Sequence, residues 1–321
     1  MDASLSIPLR RRGDLAADGV DRHRLDALLR SGLLRRIRPG VYAETADTTG
    51  LSLEGWIVVR ARALALVSAE PPLFSHLTAA ALHGWPTIAA DSERVHVILD
   101  ERRRGAVASA VRHRGEVPAD DIVERHGLRC TSIPRTMADV ARTCAFDTAV
   151  CVLDAALRGV AHTRVATYDA EKAEEMRARA LTIALRSAHG RSRAYRALAF
   201  ADGKAQLPGE SISRIRLAQL GFEPPRLQVP VAGPSGTNYY VDFGLDDVQA
   251  WGEFDGTGKY LDDALRSGRT TDEVVLREKQ REDWIRGVTR RPMVRWGWSH
   301  LRTADTLGRR LAAFHLTPGT S

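Results

Sequence analysis

The sequence predicts an α+β protein of several domains, and three observations support that fold class. The chain has 321 residues, 44% of them hydrophobic, which is enough for more than one buried core. Apolar residues recur mostly at helical spacing in its first two thirds. Beyond Pro208-Gly209 one helix is followed by three strand-like segments. We therefore expect domains over 8–45, 50–165 and 207–303, with 166–206 as a helical connector.

Composition narrows the function classes. Lysine and arginine outnumber aspartate and glutamate by 47 to 40, and this formal net charge of +7 is compatible with a nucleic-acid partner. The three cysteines have no C-x-x-C spacing, so the sequence favours neither a disulfide framework nor a zinc ribbon. Because no apolar run of about 18 residues and no secretory leader is apparent, we expect a cytoplasmic protein without a membrane partner.

Residues 8–45 predict a small helical unit followed by a hairpin. A short helix should end near Gly19, and Asp21 is placed to accept free amides at the start of a second helix. "LLRRIRPGVY" then alternates apolar and basic residues around Pro39-Gly40, as expected for two strands and a turn. Few residues precede this unit, so we expect its first helix to be short.

This layout is typical of a winged helix-turn-helix, in which the second helix enters the major groove of DNA and the hairpin contacts phosphates. The candidate DNA-binding residues are Arg22, Arg24, Arg36 and Arg38. The alternative is a small helix–hairpin unit whose arginines form an ordinary solvated face. DNA is the partner that the sequence predicts for this unit.

Residues 50–165 predict a mixed α/β middle domain. Two helices come first, and the second should open at Ser75 and end at Gly84. Two strands, "RVHVILD" and "AVRHRGEV", and two amphipathic helices follow.

Two histidines of this middle domain raise the question of a metal site. His76 and His83 are two helical turns apart, and the sequence marks no third ligand for either. A metal site needs several converging donors. We therefore interpret both as structural histidines.

These first two domains resemble the AbiEi-type antitoxins of type IV toxin–antitoxin systems. The resemblance rests on "LLRSGLLRRIRPGVYA", "FSHLTAAALHGWP" and "SIPRTMADVAR", and it extends over roughly residues 10–160. It implies a winged-helix domain that reads operator DNA and a second domain that contacts a toxin or another copy of the chain. A cognate toxin protein is therefore a further expected partner.

Residues 207–303 predict a domain with the element order α-β-β-β-α-β. A helix begins at Pro208-Gly209, and three strand-like segments follow: "RLQVPVAG", "NYYVDFGL" and "DVQAWGEFDG". A long charged helix and a last strand, "RPMVRWGW", complete the order.

Three acidic residues in these strands predict a metal site. Alternate side chains of a strand point the same way, so Glu253 and Asp255 should share a face that Asp242 of the neighbouring strand can join. Carboxylate oxygens suit Mg²⁺ or Mn²⁺, and such an ion acidifies a bound water and neutralises charge on a phosphate. The alternative is that Glu253 and Asp255 are solvated at the strand end and pair with Lys259.

The element order and the acids together resemble the PD-(D/E)XK nuclease superfamily, and within it the branch of the Vsr very-short-patch repair endonuclease. The resemblance covers about residues 207–303. It implies a restriction-endonuclease-like fold and a Mg²⁺-dependent endodeoxyribonuclease. By position, Asp242 matches the first motif acid, Glu253 the second, and Glu210 the acid that many members carry on the first helix.

One position departs from the superfamily pattern. Most members have lysine two residues after the second acid, whereas this chain has Asp255, then Gly256, and Lys259 just beyond. Vsr-like members often carry this acid and glycine with a histidine or lysine after them. Because the chain has only four lysines against 43 arginines, Lys259 is the candidate catalytic cation. Lys279 is the alternative cation, and Gln280 is a supporting residue.

Two functions from different classes remain open. In the first, the protein is a metal-dependent endonuclease that hydrolyses DNA in a defence or toxin–antitoxin context, and its N-terminal domains choose the substrate. In the second, it is a non-catalytic antitoxin or transcriptional regulator that uses the nuclease fold as a binding module. The complete set of acids favours the first function, and the displaced lysine and antitoxin-like first half favour the second.

Overall fold

The computed structural model describes residues 3–88, 91, 93–99, 110–162, 168–256 and 271–319. Within these residues the chain forms twelve α-helices and three β-sheets, which confirms the mixed α/β, multidomain class. The chain divides into two compact units, Met1–Ala201 and Asp202–Ser321, here called the N-terminal unit and the C-terminal unit. None of the described helices is both long and apolar enough to cross a membrane.

The N-terminal unit contains nine α-helices and eight strands in its described residues. The helices are α1 (Ala3–Ser6), α2 (Arg12–Ala17), α3 (Arg22–Arg30), α4 (Leu53–Val67), α5 (His76–Leu82), α6 (Ile133–Thr143), α7 (Phe146–Ala161), α8 (Ala170–Ala184) and α9 (Arg191–Phe200). The strands are β1 (Arg10–Arg11), β2 (Leu34–Arg38), β3 (Val41–Glu44), β4 (Leu73–Phe74), β5 (Val95–Leu99), β6 (Ala110–Arg114), β7 (Ile122–Arg125) and β8 (Leu128–Thr131).

The first sheet belongs to the predicted helix–hairpin unit. α2 is short, with six residues, and α3 begins where the Asp21 carboxylate accepts a hydrogen bond from the Arg24 amide at 2.8 Å. β2 and β3 pair antiparallel across the predicted turn, and the strand order is β1-β3-β2. Leu15, Leu25 and Tyr42 are buried together, so the helices pack onto the hairpin through one small core.

The second sheet has five strands in the order β6-β5-β4-β8-β7. β5 runs parallel to β6, and β4 runs parallel to β8, while the other neighbours are antiparallel. β5 and β6 are the two strands that the sequence predicts. The sequence reasoning missed the two-residue β4 and the β7–β8 hairpin, which turns at His126 and Gly127 with positive φ at both residues.

α6, α7, α8 and α9 share one apolar core. Met137 of α6 and Leu153 of α7 are fully buried in it. Ala180 of α8 and Leu198 of α9 belong to the same core, so the segment predicted as a connector packs closely within the N-terminal unit.

The C-terminal unit contains a four-stranded sheet and three α-helices in its described residues. Its elements are α10 (Pro208–Leu220), β9 (Arg226–Ala232), β10 (Asn238–Leu245), β11 (Ala250–Phe254), α11 (Thr271–Thr289), β12 (Met293–Trp296) and α12 (Ala304–Ala312). Up to β12 this is the predicted order, and α12 is an element that the sequence reasoning did not include. β9, β10 and β11 form an antiparallel meander, and β12 joins β11 in parallel, which requires a crossover such as the one containing α11.

Two glycines let aromatic rings approach the backbone of this unit. A Cβ atom on Gly252 of β11 would lie 2.3 Å from the Trp296 ring, and one on Gly209 of α10 would lie 2.1 Å from the Phe254 ring. The Trp296 ring is 1% exposed, and its Nε1 donates to Ser213 Oγ at 2.7 Å. Because this ring cannot move away, only glycine fits at position 252.

Candidate functional site

Asp242 lies within β10, directly beside Glu253 of β11. Phe243 pairs with Gly252 in these antiparallel strands, so the adjacent residues Asp242 and Glu253 lie opposite each other. Their side chains therefore point to the same face of the sheet. Asp242 is half-buried, and its Oδ2 accepts a hydrogen bond from the Phe254 amide at 2.9 Å. Strand pairing thus brings together two of the predicted metal ligands.

Glu253 is 8% exposed, and two arginines lie against its carboxylate. Arg281 Nη2 of α11 lies 2.6 Å from Oε1, and Arg295 Nη2 of β12 lies 3.0 Å from Oε2. Burial raises the pKa of Glu253 above its ordinary value, and the hydrogen bond and charge of Arg281, with the charge of Arg295, oppose that rise. The second predicted ligand is therefore already charge-compensated.

Glu210 is fully buried in the first turn of α10 and is joined to Asp242 by one amide side chain. Glu210 Oε2 accepts hydrogen bonds from the Gln206 amide at 2.9 Å and from Gln228 Nε2 at 3.1 Å. The same Nε2 donates to Asp242 Oδ1 at 3.3 Å. Gln228, which the sequence reasoning did not single out, therefore bridges the two carboxylates.

The backbone of Gln228 is unusual for a strand. Its φ of 50° lies in the left-handed region, although the residue is inside β9. A non-glycine residue in this region is disfavoured by about 1–3 kcal/mol, and such residues cluster at functional sites where the surroundings hold them. The bridge between Glu210 and Asp242 is thus made by a residue in a strained conformation.

Asp255 lies one residue beyond the end of β11 and is half-buried. Its amide donates to the Trp296 carbonyl at 2.8 Å, which continues the contact between β11 and β12. In the part of the chain that the structure describes, ligand oxygens of Asp242, Glu253 and Asp255 do not all lie within 4.8 Å of one another. The predicted trio is an adjacent pair with a third acid at the strand end.

Only one of the two candidate lysines lies in the described part of the chain. Lys259 lies outside the described residues, whereas Lys279 and Gln280 lie on α11 with exposed side chains. Arg281, the next residue of that helix, is the one that contacts Glu253. The sequence reasoning missed this arginine, although oppositely charged residues three apart on the predicted helix, Glu278 and Arg281, are a signal of an ion-pair network.

Three of the four predicted DNA-binding arginines are exposed. Arg22 and Arg24 lie on α3, and Arg36 lies on β2 with its guanidinium 5.9 Å from the centre of the Tyr42 ring. Arg38 is half-buried, and burial lowers the pKa of its guanidinium. The basic surface of this unit is therefore centred on α3 and the start of the hairpin.

The histidines of the middle domain do not behave alike. His83 Nε2 lies 2.9 Å from the Thr131 carbonyl oxygen, as expected of a structural histidine. His76 instead lies against His96 of β5 and His113 of β6, and ligand nitrogens of all three lie within 4.8 Å of one another. The sequence marks neither partner of His76, because both come from strands that are distant in sequence.

Two mycobacterial proteins are similar to the chain over most of its length. They are uncharacterized protein Rv2248 and uncharacterized protein MT2308, from two strains of Mycobacterium tuberculosis. Each is 30% identical over 240 residues, which cover 74% of this chain and 79% of the relative. No protein-family model matches the chain.

Proposed function

The chain belongs to one family with these two mycobacterial proteins, and we propose that it is a DNA-binding protein whose C-terminal unit is a Mg²⁺- or Mn²⁺-dependent endonuclease. In this proposal the C-terminal unit has the PD-(D/E)XK fold of the Vsr-like branch. α2, α3 and the β2–β3 hairpin form a winged helix-turn-helix, and an AbiEi-like domain follows it. The setting is defence or a toxin–antitoxin system in the cytoplasm.

The pairing of Asp242 with Glu253, with Glu210 joined to Asp242 through Gln228, is the observation that carries the proposal. Clustered carboxylates repel one another, and burial adds to the penalty unless a cation or protons neutralise them. Two arginines compensate Glu253, but the hydrogen bonds that Asp242 accepts in the described structure come from neutral groups. A divalent ion with a preference for oxygen ligands suits such a carboxylate.

The chain's own residues have distinct tasks in this proposal. Asp242 and Glu253 would hold the ion, with Asp255 as a third ligand from the strand end. A bound ion supplies an acidified water and neutralises charge on the phosphate. Gln228 fixes the orientation of Asp242 through its hydrogen bond, and Glu210 fixes Gln228 in turn.

In this proposal a lysine positions or activates the attacking water. Lys259 is the first candidate because it follows the acids closely in sequence. Lys279 of α11 is the alternative, and Gln280 beside it could hydrogen-bond the same water. A compact ammonium group suits this role better than a guanidinium.

A cleavage assay tests the proposal most directly. The full chain is incubated with duplex, mismatched and single-stranded DNA and with RNA, in Mg²⁺, in Mn²⁺ or with a chelator. We expect cleavage of DNA that requires the divalent ion. If none of the four substrates is cut in either ion, the nuclease proposal is wrong.

DNA binding is expected to weaken as salt rises, because Arg22, Arg24 and Arg36 are exposed and release counterions when they contact phosphates. Replacing any one of them by alanine should reduce the slope of log K against log salt by about one unit. Fluorescence anisotropy in the presence of a chelator measures binding without cleavage.

A matched control for this experiment is Arg193→Ala, which removes an exposed arginine of α9 in the same unit. This control should leave the slope unchanged. Equal effects of Arg22→Ala and Arg193→Ala would mean that charge alone, and not the helix–hairpin unit, determines binding.

A second candidate function is a non-catalytic AbiEi-type antitoxin or regulator that binds DNA and a cognate toxin. One observation favours it: the ion pairs of Glu253 with Arg281 and Arg295 neutralise this acid without any metal. In that case the carboxylate–arginine group is a structural element of a binding module.

Arg281→Gln separates the two candidates. The substitution leaves Glu253 with Arg295 alone and is expected to lower the free energy of unfolding of the C-terminal unit by about 2 kcal/mol, less than for a fully unpaired buried charge. If Glu253 is a metal ligand, millimolar Mg²⁺ should restore part of that loss, because the ion replaces the missing positive charge. Chemical denaturation with and without Mg²⁺ measures both effects.

The control is Arg286→Gln, which removes an exposed ion pair between Arg286 and Glu282 on the same helix. It should change stability little, with or without Mg²⁺. A loss in Arg281→Gln that Mg²⁺ does not reduce would favour the regulator.

A further inference from the structure

Three histidines of the N-terminal unit meet at one point between α5 and the sheet. His96 Nδ1 lies 2.9 Å from His113 Nε2, and the ring centroids of His76 and His113 are 3.4 Å apart with an interplanar angle of 15°. His76 is 5% exposed, whereas His96 and His113 are half-buried. The cluster is therefore closed on the side of α5 and accessible from the strands.

The fold holds these rings together through several independent contacts. β5 and β6 are parallel, and their register puts His96 and His113 on the same face of the sheet. The Ser75 amide donates to the His96 carbonyl at 3.0 Å, and the His96 amide donates to Thr78 Oγ1 at 2.8 Å. The backbone at His96 is thus fixed to the first turn of α5.

The backbone of His76 has a strained conformation, as residues at functional sites often do. Its φ of 51° lies in the left-handed region, although it is the first residue of α5 and is not glycine. Its Nδ1 lies 2.9 Å from Ser75 Oγ. With Nδ1 engaged in this hydrogen bond, Nε2 is the ring nitrogen left for another contact.

Burial disfavours the charged form of all three rings. Burial lowers the pKa of His76 and His96, and it lowers the pKa of His113 to about 4, with the charge of His96 adding to the effect. Neutral imidazole is the form that binds a metal ion. In the hydrogen bond between His96 and His113, one ring must donate and the other accept, so a lone pair and a single proton face each other there.

Charged groups around the cluster do not exclude a cation. Arg135 and Arg142 of α6 contribute positive charge that lowers the pKa of His76. Both pair with Asp139, at 3.0 Å and 3.7 Å. Asp91 contributes negative charge at His96. The charged groups near the cluster are therefore of both signs.

We propose that His76, His96 and His113 bind a divalent transition-metal ion of the Zn²⁺ type through three imidazole nitrogens. Imidazole ligands suit Zn²⁺, Cu²⁺ and Ni²⁺, whereas Mg²⁺ prefers oxygen. Three protein ligands leave a fourth tetrahedral position, which the half-buried side of the cluster opens to water. The ion ties the start of α5 to β5 and β6, and Ser75 orients His76 as a supporting residue.

Binding requires a small movement of the rings. Two nitrogens on one tetrahedral zinc are about 3.3 Å apart, so the 2.9 Å contact between His96 and His113 must lengthen slightly. The ring that donates in this contact must also carry its proton on its other nitrogen. The stacked rings of His76 and His113 must also tilt so that their lone pairs converge. Binding therefore requires a change of tautomer in one ring.

The test uses the full chain and Zn²⁺ as the probe. Isothermal titration calorimetry should give one strong site per chain that Mg²⁺ does not block. At a hundredfold excess over the dissociation constant, Zn²⁺ should raise the melting temperature of the N-terminal unit by roughly 5–10 °C. Co²⁺ in place of Zn²⁺ should give the visible absorption of a tetrahedral nitrogen site.

Two ligand variants and two control variants decide the assignment. His96→Gln and His113→Gln should each weaken Zn²⁺ binding by more than about a hundredfold, since even a supporting hydrogen bond contributes ten- to a hundredfold. His83→Gln is the matched control, because His83 is also half-buried and lies at the end of α5 but outside the cluster. Asp242→Asn controls for binding at the acids of the C-terminal unit.

The proposal is wrong if the wild-type chain takes up no Zn²⁺ at one per chain. It is equally wrong if His96→Gln and His113→Gln bind as tightly as the wild type, or if His83→Gln or Asp242→Asn removes the site. Circular dichroism of each variant checks that the fold is retained. Because His96 and His113 are only half-buried, we expect their glutamine variants to fold.

Discussion

Asp242→Asn is expected to lower metal-dependent DNA cleavage by about a thousandfold or more. The amide has the shape of the carboxylate and can still accept the hydrogen bond from the Phe254 amide, although its NH₂ group then replaces the oxygen that accepts from Gln228. It loses the negative charge that would hold the ion. Folding should therefore survive, and the apo protein should become slightly more stable because repulsion with Glu253 is removed. Single-turnover cleavage rates and thermal denaturation measure the two effects.

Asp283→Asn is the control for this variant, because Asp283 is an exposed acid on α11. Its cleavage rate should match that of the wild type. A wild-type rate in Asp242→Asn would show that any cleavage activity does not depend on this acid, and a different carboxylate would have to be the ligand.

Gly252→Ala is expected to destabilise the C-terminal unit by about 3 kcal/mol or more, at the upper end of overpacking effects. The added methyl group would lie 2.3 Å from the Trp296 ring, and that ring is buried and hydrogen-bonded to Ser213. Relief would require β11 and β12 to separate. Denaturant unfolding followed by tryptophan fluorescence measures the change.

Gly287→Ala is the opposite case within the same unit. Gly287 lies in α11, and a Cβ atom there would meet nothing within 4 Å. Because alanine is the better helix former, this variant should be more stable than the wild type by about 0.5–1 kcal/mol. Similar effects at positions 252 and 287 would contradict the packing described for Trp296.

The sequence predicts the C-terminal sheet well because its information is local. Alternation of apolar and polar residues marks each strand, and the period of two fixes which acids share a face. The order of β9, β10 and β11 then follows from short connections, so the neighbourhood of Asp242 and Glu253 could be expected before the structure. The position of Asp255 depends on where β11 ends, and strand ends are poorly marked by pattern.

None of the partners of these acids was predicted from the sequence. Arg281 reaches Glu253 because the crossover helix presents one particular face to the sheet, and the charged run around it offers several equivalent residues. Arg295 belongs to the last predicted strand, in which no residue was singled out as a partner of the acids. Gln228 is a polar residue on the less buried face of β9, and nothing local distinguishes it from a solvated one.

The histidine cluster shows the same limit in the N-terminal unit. The sequence predicts β5 and β6 as strands and α5 as a helix, but not that His96 and His113 face the start of that helix. Parallel strand pairing and the two-residue β4 decide this arrangement, and both are long-range features. Local patterns therefore place each histidine on its element without bringing the three together.

The left-handed backbone of Gln228 lowers the stability of β9, whereas its side chain hydrogen-bonds both Glu210 and Asp242. Glycine would adopt that conformation without strain, yet it would remove the amide that holds Glu210 and Asp242. A selection for heat resistance alone would thus favour glycine at position 228, although glycine removes the hydrogen bonds to Glu210 and Asp242. Any engineering of this domain for robustness has to leave position 228 untouched and seek its gains elsewhere.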